Sequence, residues 1–369
     1  MDWLNSLQAR EVSALFTLLR AGLWEKEPDK VSLFPLSDCE WEHVFYLARS
    51  QTVTGIVYRG ICHLPDNLLP SEQILVRWVA AVARIEQQNR RMNEALSGLY
   101  RSFRSRGLEP VLQKGQGVAM FYEDALLREC GDIDLYFPGK QEAWQMAGQM
   151  AGQKSPVTRM PDGSVYYVLN DIKIEHHIRL TDVCNPFVLQ YLKKLEKTSG
   201  NRRMHLSYPP ETEVCIPSPV INLILLSVHV LKHALGWGIG LRQLCDMARA
   251  YYCLCGEVSA TEMRAVVSRV GIRPWNRLLH AFLVDHLGLP VACLPYPEKK
   301  TDSRPLLDIV LRGGNFGFQG KRRDRSQRVW MRKLHTLRSF LQNMRFACRY
   351  APKEAFWLFS SLGIGQLKR

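Results

Sequence analysis

Gly131-Asp132-Ile133-Asp134-Leu135 is the stretch whose reading decides the fold. Its aspartates alternate with apolar residues, the pattern of an extended segment. On a strand, residues i and i+2 project to the same face. Upstream, Leu112-Gln113-Lys114-Gly115 closes one apolar run, and downstream Ile172-Lys173-Ile174-Glu175-His176-His177 closes another. A third carboxylate from a neighbouring strand, Glu175, would complete a trio of hard oxygen ligands for Mg²⁺ or Mn²⁺. Two such ions about 3.5–4 Å apart can clamp the attacking and leaving oxygens of a phosphoryl displacement.

Outward from this centre, residues 108–180 alternate strand and helix. Val111 to Gln113 reads as a short strand and Gly117 to Leu127 as a helix. Asp132 to Phe137 is a second strand, and Gln141 to Ala151 a second helix. Val165 to Leu169 and Ile172 to Ile178 form a hairpin around Asn170-Asp171, a favoured turn pair. Before this segment the chain is helical, with apolar spacing over Val12 to Arg20 and Trp41 to Tyr58. A long helix follows from about Glu72 to Arg104, with Ser71 as its N-cap and Gly107 as its terminator. After it come helices over Pro219 to Ala234, Leu241 to Cys253, Ala260 to Val270 and Trp275 to Leu287, then a Pro-, Glu- and Lys-rich linker over Pro290 to Arg304. The expected organisation is a helical N-terminal region over 1–107, a mixed α/β core over 108–215, a helical cleft-framing region over 216–290, and a linker with a basic helical region over 291–369.

The chain has 369 residues, 46% hydrophobic and 23% charged, enough for a substantial core in two or three domains. No run of about 18 or more uncharged apolar residues is present, so no membrane span is expected. Met1-Asp2-Trp3-Leu4-Asn5 lacks the basic and apolar regions of a secretory signal. A cytoplasmic location is therefore expected, with the ten cysteines reduced. Cys253-Leu254-Cys255 is their closest pair and lacks the spacing of a zinc site. The net charge of +14 is concentrated from Arg312 onward, where fourteen Lys and Arg, Arg312 included, face only Asp324 and Glu354. Such a region attracts phosphates, RNA or an acidic partner, and equally suits solvated helix faces.

Lys114-Gly115, Tyr122, Arg128, Gly131-Asp132-Ile133-Asp134-Leu135 and Glu175-His176-His177 together resemble the uncharacterised bacterial nucleotidyltransferase family of the DNA polymerase beta-like superfamily. The likeness continues more weakly through Val228 to His233 and Leu241 to Asp246. It implies an α+β fold, a small mixed-sheet polymerase-beta-like core flanked by helical N- and C-terminal regions. It implies Asp132, Asp134 and Glu175 as the catalytic, metal-binding acids, with Glu175 helping to deprotonate the acceptor hydroxyl. Lys114, Gly115, Arg128, Gly131 and His177 would bind the nucleotide. The implied reaction is Mg²⁺- or Mn²⁺-dependent transfer of a nucleoside monophosphate from an NTP, ATP by default, to a hydroxyl acceptor, with release of pyrophosphate. Better-known members of that superfamily carry Gly-Ser where this chain has Lys114-Gly115. A lysine meets phosphate as a point charge, Gly115 permits a tight turn, and the next helix could aim its first amides at the phosphates.

Each residue also has a plainer reading. Asp132 can cap a turn, Asp134 can pair with a lysine, Glu175 can be an edge-strand acid and Lys114 a solvated cation. Arg128 can hold an aspartate or a loop, and His177 can orient Glu175 or sit in the core. His229 and His233 have the i, i+4 spacing of a zinc pair, but no Glu lies between them, so a packing or cleft-wall role is expected. Arg242 and Asp246 are expected to pair, or Arg242 to reach a phosphate. Gly313 to Lys321 fails the phosphate-loop pattern at Asn315 and Arg322 and reads as a loop or lid, and Lys321 to Arg325 offers a basic docking run. Trp330, Leu334, Leu337, Leu341 and Met344 form an apolar stripe of the packed-helix kind. The alternative function is a nucleic-acid- or nucleotide-binding protein without turnover, working through the basic C-terminal region.

Overall fold

The computed structural model describes residues 9–138, 145, 148–149, 151–153, 155–160, 163–206, 211–235, 238–313 and 344–357. The expected helix over 141–151, the glycine-rich loop, the basic run at 321–325 and most of the Trp330 stripe lie largely or wholly outside them.

At the centre is a seven-stranded mixed sheet: β1 (Val111–Gln113), β2 (Asp132–Tyr136), β3 (Thr158–Arg159), β4 (Val165–Leu169), β5 (Ile172–His177), β6 (Asn201–His205) and β7 (Glu213–Pro217), in the spatial order β3-β4-β5-β2-β1-β7-β6. β2 runs parallel to β5 and antiparallel to β1, and β1 runs parallel to β7. The β4–β5 hairpin turns at Asn170 and Asp171, both with positive φ (51° and 64°), as a two-residue primed turn requires. β6 and β7 have no counterpart among the sequence expectations. Asn201-Arg202-Arg203-Met204-His205 is a polar edge strand, whose only signal is its partner.

Helices surround the sheet: α1 (Ala9–Trp24), α2 (Asp38–Ser50), α3 (Thr54–Ile61) and α4 (Glu72–Arg104) before β1; α5 (Gly115–Ala119) and α6 (Pro186–Ser199) among the strands; α7 (Pro219–Leu235), α8 (Leu241–Cys253), α9 (Ala260–Val270), α10 (Arg273–Asp285), α11 (Arg304–Gly313) and α12 (Met344–Tyr350) after β7. One buried apolar cluster runs through all of these regions, from Ala14 to Ala355, so the helices and the sheet share a core. α1 and α3 approach so closely that a Cβ on Gly60 would meet the Leu18 carbonyl oxygen at 1.9 Å. Among the described residues no helix is long and apolar enough to cross a membrane, and all ten cysteines are free.

Two expected helices and the expected linker differ in outline. The Trp41–Tyr58 pattern is interrupted at Gln51–Val53, because Gln51 is buried there: its Nε2 donates to the Val310 carbonyl and its Oε1 accepts from the Leu241 amide. The expected Gly117–Leu127 helix is only the five-residue α5 followed by a tight turn at Ala125–Leu127. Asp124 caps that turn through the Leu126 amide, and the buried Asn89 of α4 donates to the carbonyls of Leu126 and Arg128 at 2.6 and 2.9 Å. Long-range partners of this kind fix the path into β2. The Pro290–Arg304 segment is packed, not free: Tyr296 is buried, and Glu298 pairs with Arg273 and Arg277.

Candidate active site

The parallel pairing of β2 with β5 sets Asp132 beside Lys173, Asp134 beside Glu175 and Tyr136 beside His177. Because side chains alternate along a strand, all six share one face. Ile133, Leu135, Ile174 and His176 point the other way, fully buried. Each such aliphatic side chain contributes about 1.5–3 kcal/mol by leaving water. That burial fixes the register and holds the polar set opposite.

On the polar face, His177 Nε2 lies 2.6 Å from Asp134 Oδ1 and 3.4 Å from Glu175 Oε2. Lys114 Nζ lies 3.5 Å from Asp134 Oδ2, and Lys173 pairs with Glu175. One ligand atom each from Asp134, Glu175 and His177 fall within 4.8 Å of one another. That spread is the width of a small divalent cation's coordination shell, with Mg²⁺–oxygen bonds of about 2.0–2.1 Å. The donor set therefore fits a divalent metal, with an imidazole as the third member of the group. Asp132 stands beside it on the same face: the negative charge of Asp134, then burial, push its carboxyl up to about 6. Crowded acids of this kind are relieved by a cation. Burial opposes ionisation of Asp134, but Lys114 and His177 outweigh it and hold the group well below the usual carboxylate range. The same contacts keep Lys114 and His177 protonated more firmly than usual despite their burial.

Lys114 and Gly115 make the sharp turn that leaves β1, with φ of 44° and 46°. A left-handed lysine is uncommon and strained, and it brings the ammonium over Asp134. A Cβ at Gly115 would press on the Asp132 carbonyl oxygen at 3.3 Å. Gly131 is exposed, with open space where a Cβ would sit, so neither turn nor packing demands glycine there.

Arg128 departs from the expected phosphate contact. Its Nε and one terminal nitrogen donate to both carboxylate oxygens of Asp246, at 3.0 and 2.6 Å, and the other terminal nitrogen faces the Glu129 carbonyl and the Cys130 sulfur. Tyr122 donates to the same Asp246 carboxylate at 2.8 Å. Buried and bidentate, Arg128 ties the segment before β2 to α8. This also corrects the expected Arg242–Asp246 pair: Asp246 is occupied, and Arg242 instead donates to the Glu129 carbonyl at 2.8 Å.

His229 and His233 of α7 stack edge to face at 4.5 Å. Burial, then the charge of Lys114, hold His229 well below its ordinary value, and burial with Lys114 and Lys232 brings His233 down to about 3. They form a neutral wall beside Lys114. Lys173 was missed by the sequence reading, although its place two residues before Glu175 puts it on the site face. Asp182, beyond the end of β5, pairs with Lys232 at 3.1 Å and also feels Lys114. No sequence signal marks that contact.

A mixed sheet that sets two carboxylates side by side on parallel strands, under a Lys-Gly turn and flanked by helices, is the nucleotidyltransferase-like class of fold. The chain belongs to the uncharacterised nucleotidyltransferase family, whose model matches residues 37–283. Among solved structures, an antigenic nucleotidyltransferase-like protein from Paracoccidioides brasiliensis is similar at 12% identity, over 54% of this chain and 92% of that one, with a TM-score of 0.33. So distant a likeness transfers no residue role. No curated protein matches.

Proposed function

We propose that this protein moves a nucleoside monophosphate from an NTP, ATP by default, to a hydroxyl acceptor. The observation that carries the reading is the in-register pairing of Asp134 with Glu175, with Asp132 on the same face and His177 in contact with both paired acids. Asp132, Asp134 and Glu175 would hold Mg²⁺ or Mn²⁺, with the imidazole of His177 close enough to join or to orient them. Bound there, a divalent cation would supply positive charge at the transferring phosphorus and lower the acceptor's pKa. The chain's own residues do the rest. Lys114 meets the phosphates as a point charge, and Gly115 lets the backbone approach them. Glu175 takes the acceptor proton as the acceptor oxygen bonds to the alpha-phosphorus; the bond to the beta-phosphate oxygen breaks and pyrophosphate leaves. Positioning and electrostatics supply the rate, with no covalent intermediate on the protein. The five-residue α5 is too short to serve as an anion-binding helix terminus, so the phosphate contacts fall to side chains.

The test is a thermal-shift screen of wild type and the Asp132→Asn/Asp134→Asn double variant, with each of the four NTPs and Mg²⁺ or Mn²⁺. A ligand that binds only the folded state raises Tm by mass action. The expected result is a metal-dependent shift for one NTP that the double variant loses. An equal shift in the double variant would sink the assignment of the acids.

A further inference from the structure

The far end of β2 opens onto a different surface. Tyr136, on the same strand face as Asp132 and Asp134, also lines an open groove of about 1280 Å³. One wall of the groove is α6, which turns Val188 and Leu192 into the core and leaves Phe187, Lys193, Lys194 and Lys197 exposed. Arg159 and Arg269 add two more exposed cations. Among the described lining residues five cations thus stand against one acid, Glu196, and its carboxylate accepts from the Tyr136 hydroxyl. Elsewhere on the surface cations have acids beside them, as Arg59 has Glu25 and Arg202 has Glu257. Aromatic rings are interleaved with the charge. Phe187 is 73% exposed, and Trp357 meets its ring edge on at 6.3 Å. Tyr191 follows one turn along α6, with the Arg269 guanidinium 5.8 Å over its ring. Beyond Phe187 a second depression, lined by Asn185, Ser268, Arg269 and Lys353, carries the basic surface further.

Like charges crowded along one wall repel, and a phenylalanine ring left in water forgoes about 1.5–3 kcal/mol of burial. One kind of ligand relieves both costs: a chain that is anionic along its length and carries flat faces. In a single-stranded nucleic acid the phosphates match the lysines and arginines, and the bases stack on the exposed rings. An acidic peptide would answer the charge and leave Phe187 in water. A duplex keeps its bases stacked on one another, out of reach of the ring. An anionic membrane calls for a protruding face, and this one is concave. We infer that the groove is a track for a single-stranded nucleic acid and presents the strand's terminal hydroxyl to the Asp134–Glu175 site as the acceptor. Asp134 is two residues from Tyr136, about 7 Å along the strand, so a chain leaving the groove past Tyr136 arrives on the carboxylate face. The hydroxyl's role rests on the nucleotidyl-transfer reading; the track itself does not.

Fluorescence anisotropy on the full chain tests this, with a labelled single-stranded RNA of about 12 nucleotides, within the span one such groove covers. The same sequence is also presented as single-stranded DNA and as a duplex. Both single strands should bind, and the duplex roughly tenfold or more weakly. The triple variant Lys193→Gln/Lys194→Gln/Lys197→Gln should weaken binding and flatten the slope of log affinity against log salt by about 2. Phe187→Ala should weaken it roughly fivefold or more at an unchanged salt slope, as lost stacking requires. All four positions are exposed, so Tm should stay near wild type. The Asp132→Asn/Asp134→Asn double variant should keep full strand affinity. Wild-type affinity in either groove variant overturns the track and moves any binding to another surface. A duplex bound as tightly as the single strands overturns it too, as does binding of phosphatidylserine vesicles in place of the oligonucleotides. With Mg²⁺ and the NTPs, wild type should lengthen the RNA, and Phe187→Ala should do so with a raised KM for RNA. Groove-dependent binding without lengthening keeps the track and removes the strand as acceptor. Failure of the transfer reading shows separately, as the absence of any metal-dependent thermal shift by an NTP.

Discussion

His176 and His177 are neighbours in sequence and live in opposite worlds. His176 lies on the apolar face of β5, fully buried among the rings of Phe103, Phe137 and Tyr167 at 5.0–5.7 Å, with neither ring nitrogen partnered. Burial drives its pKa down to about 3. His177 lies on the polar face, where its bond to Asp134 overcomes burial and raises its pKa. The same strands thus carry a core on one side and a charged cluster on the other, and a step of one residue decides which chemistry a side chain can do. Register is the shared variable: slipping β5 by one residue would bury Glu175 and expose Ile174.

The sharpest break falls on the polar face. Asp134→Asn is expected to cut metal-dependent nucleotidyl transfer roughly a thousandfold, the upper range for losing one preorganised electrostatic contact. Steady-state turnover at saturating Mg²⁺ checks it, alongside far-UV circular dichroism to show that the fold survives. Next is the apolar face. Ile174→Ala should cost about 2–5 kcal/mol of stability through the cavity it leaves, read from denaturant unfolding. Metal affinity of the folded fraction should stay near wild type. A loss of affinity with little loss of stability would mean that the two faces are not separable.

Acid should reveal His176. Its folded pKa of about 3 is below the ordinary value of 6.5, so the unfolded chain binds the proton more readily. The neutral ring's contribution is complete above about pH 6.5 and is lost as the pH falls toward 3, amounting to about 2 kcal/mol lost by pH 5. His176→Phe should therefore flatten the fall in Tm between pH 7.5 and 5. His229, His233 and His280 titrate in the same direction and leave a residual slope.

The smallest effect separates the two aspartates. Asp132 has a raised pKa of about 6, so it favours the folded state when protonated, and that contribution is lost as the pH rises through 6. Asp134 has a lowered pKa; its contribution is present at neutral pH and is lost in acid. In metal-free protein at pH 7.5, Asp132→Asn should raise Tm by the equivalent of order 1 kcal/mol and Asp134→Asn should lower it. Shifts of the same sign would remove the electrostatic distinction between them.

Much of this site was legible in the chain. Alternation placed Asp132 with Asp134 and Glu175 with His177, and Asn170-Asp171 announced the hairpin that carries Glu175. α8 and α9 kept the bounds read from apolar spacing, and α4 ran from Glu72 to Arg104 as expected. The failures share a cause. β6 is polar and edge-lying, so only its pairing with β7 makes it a strand. The break at Gln51 serves carbonyl and amide groups at Val310 and Leu241, and the turn at Ala125–Leu127 is held by Asn89 from α4. In each case a distant partner outweighs the local pattern.

The sequence by itself determined which residues could share a face, because side-chain period is a local property of an extended backbone. The resemblance carried by those motifs implied that an Asp-x-Asp strand, a Lys-Gly turn and a Glu-x-His strand belong to one site, without fixing how they meet. Only the tertiary structure decided that β2 and β5 are neighbours in parallel register, that His177 and not Asp132 completes the group within 4.8 Å, and that Asp246 goes to Arg128. Partner choice among like-charged residues is a competition settled by distance and burial, and neither quantity is written in the local sequence.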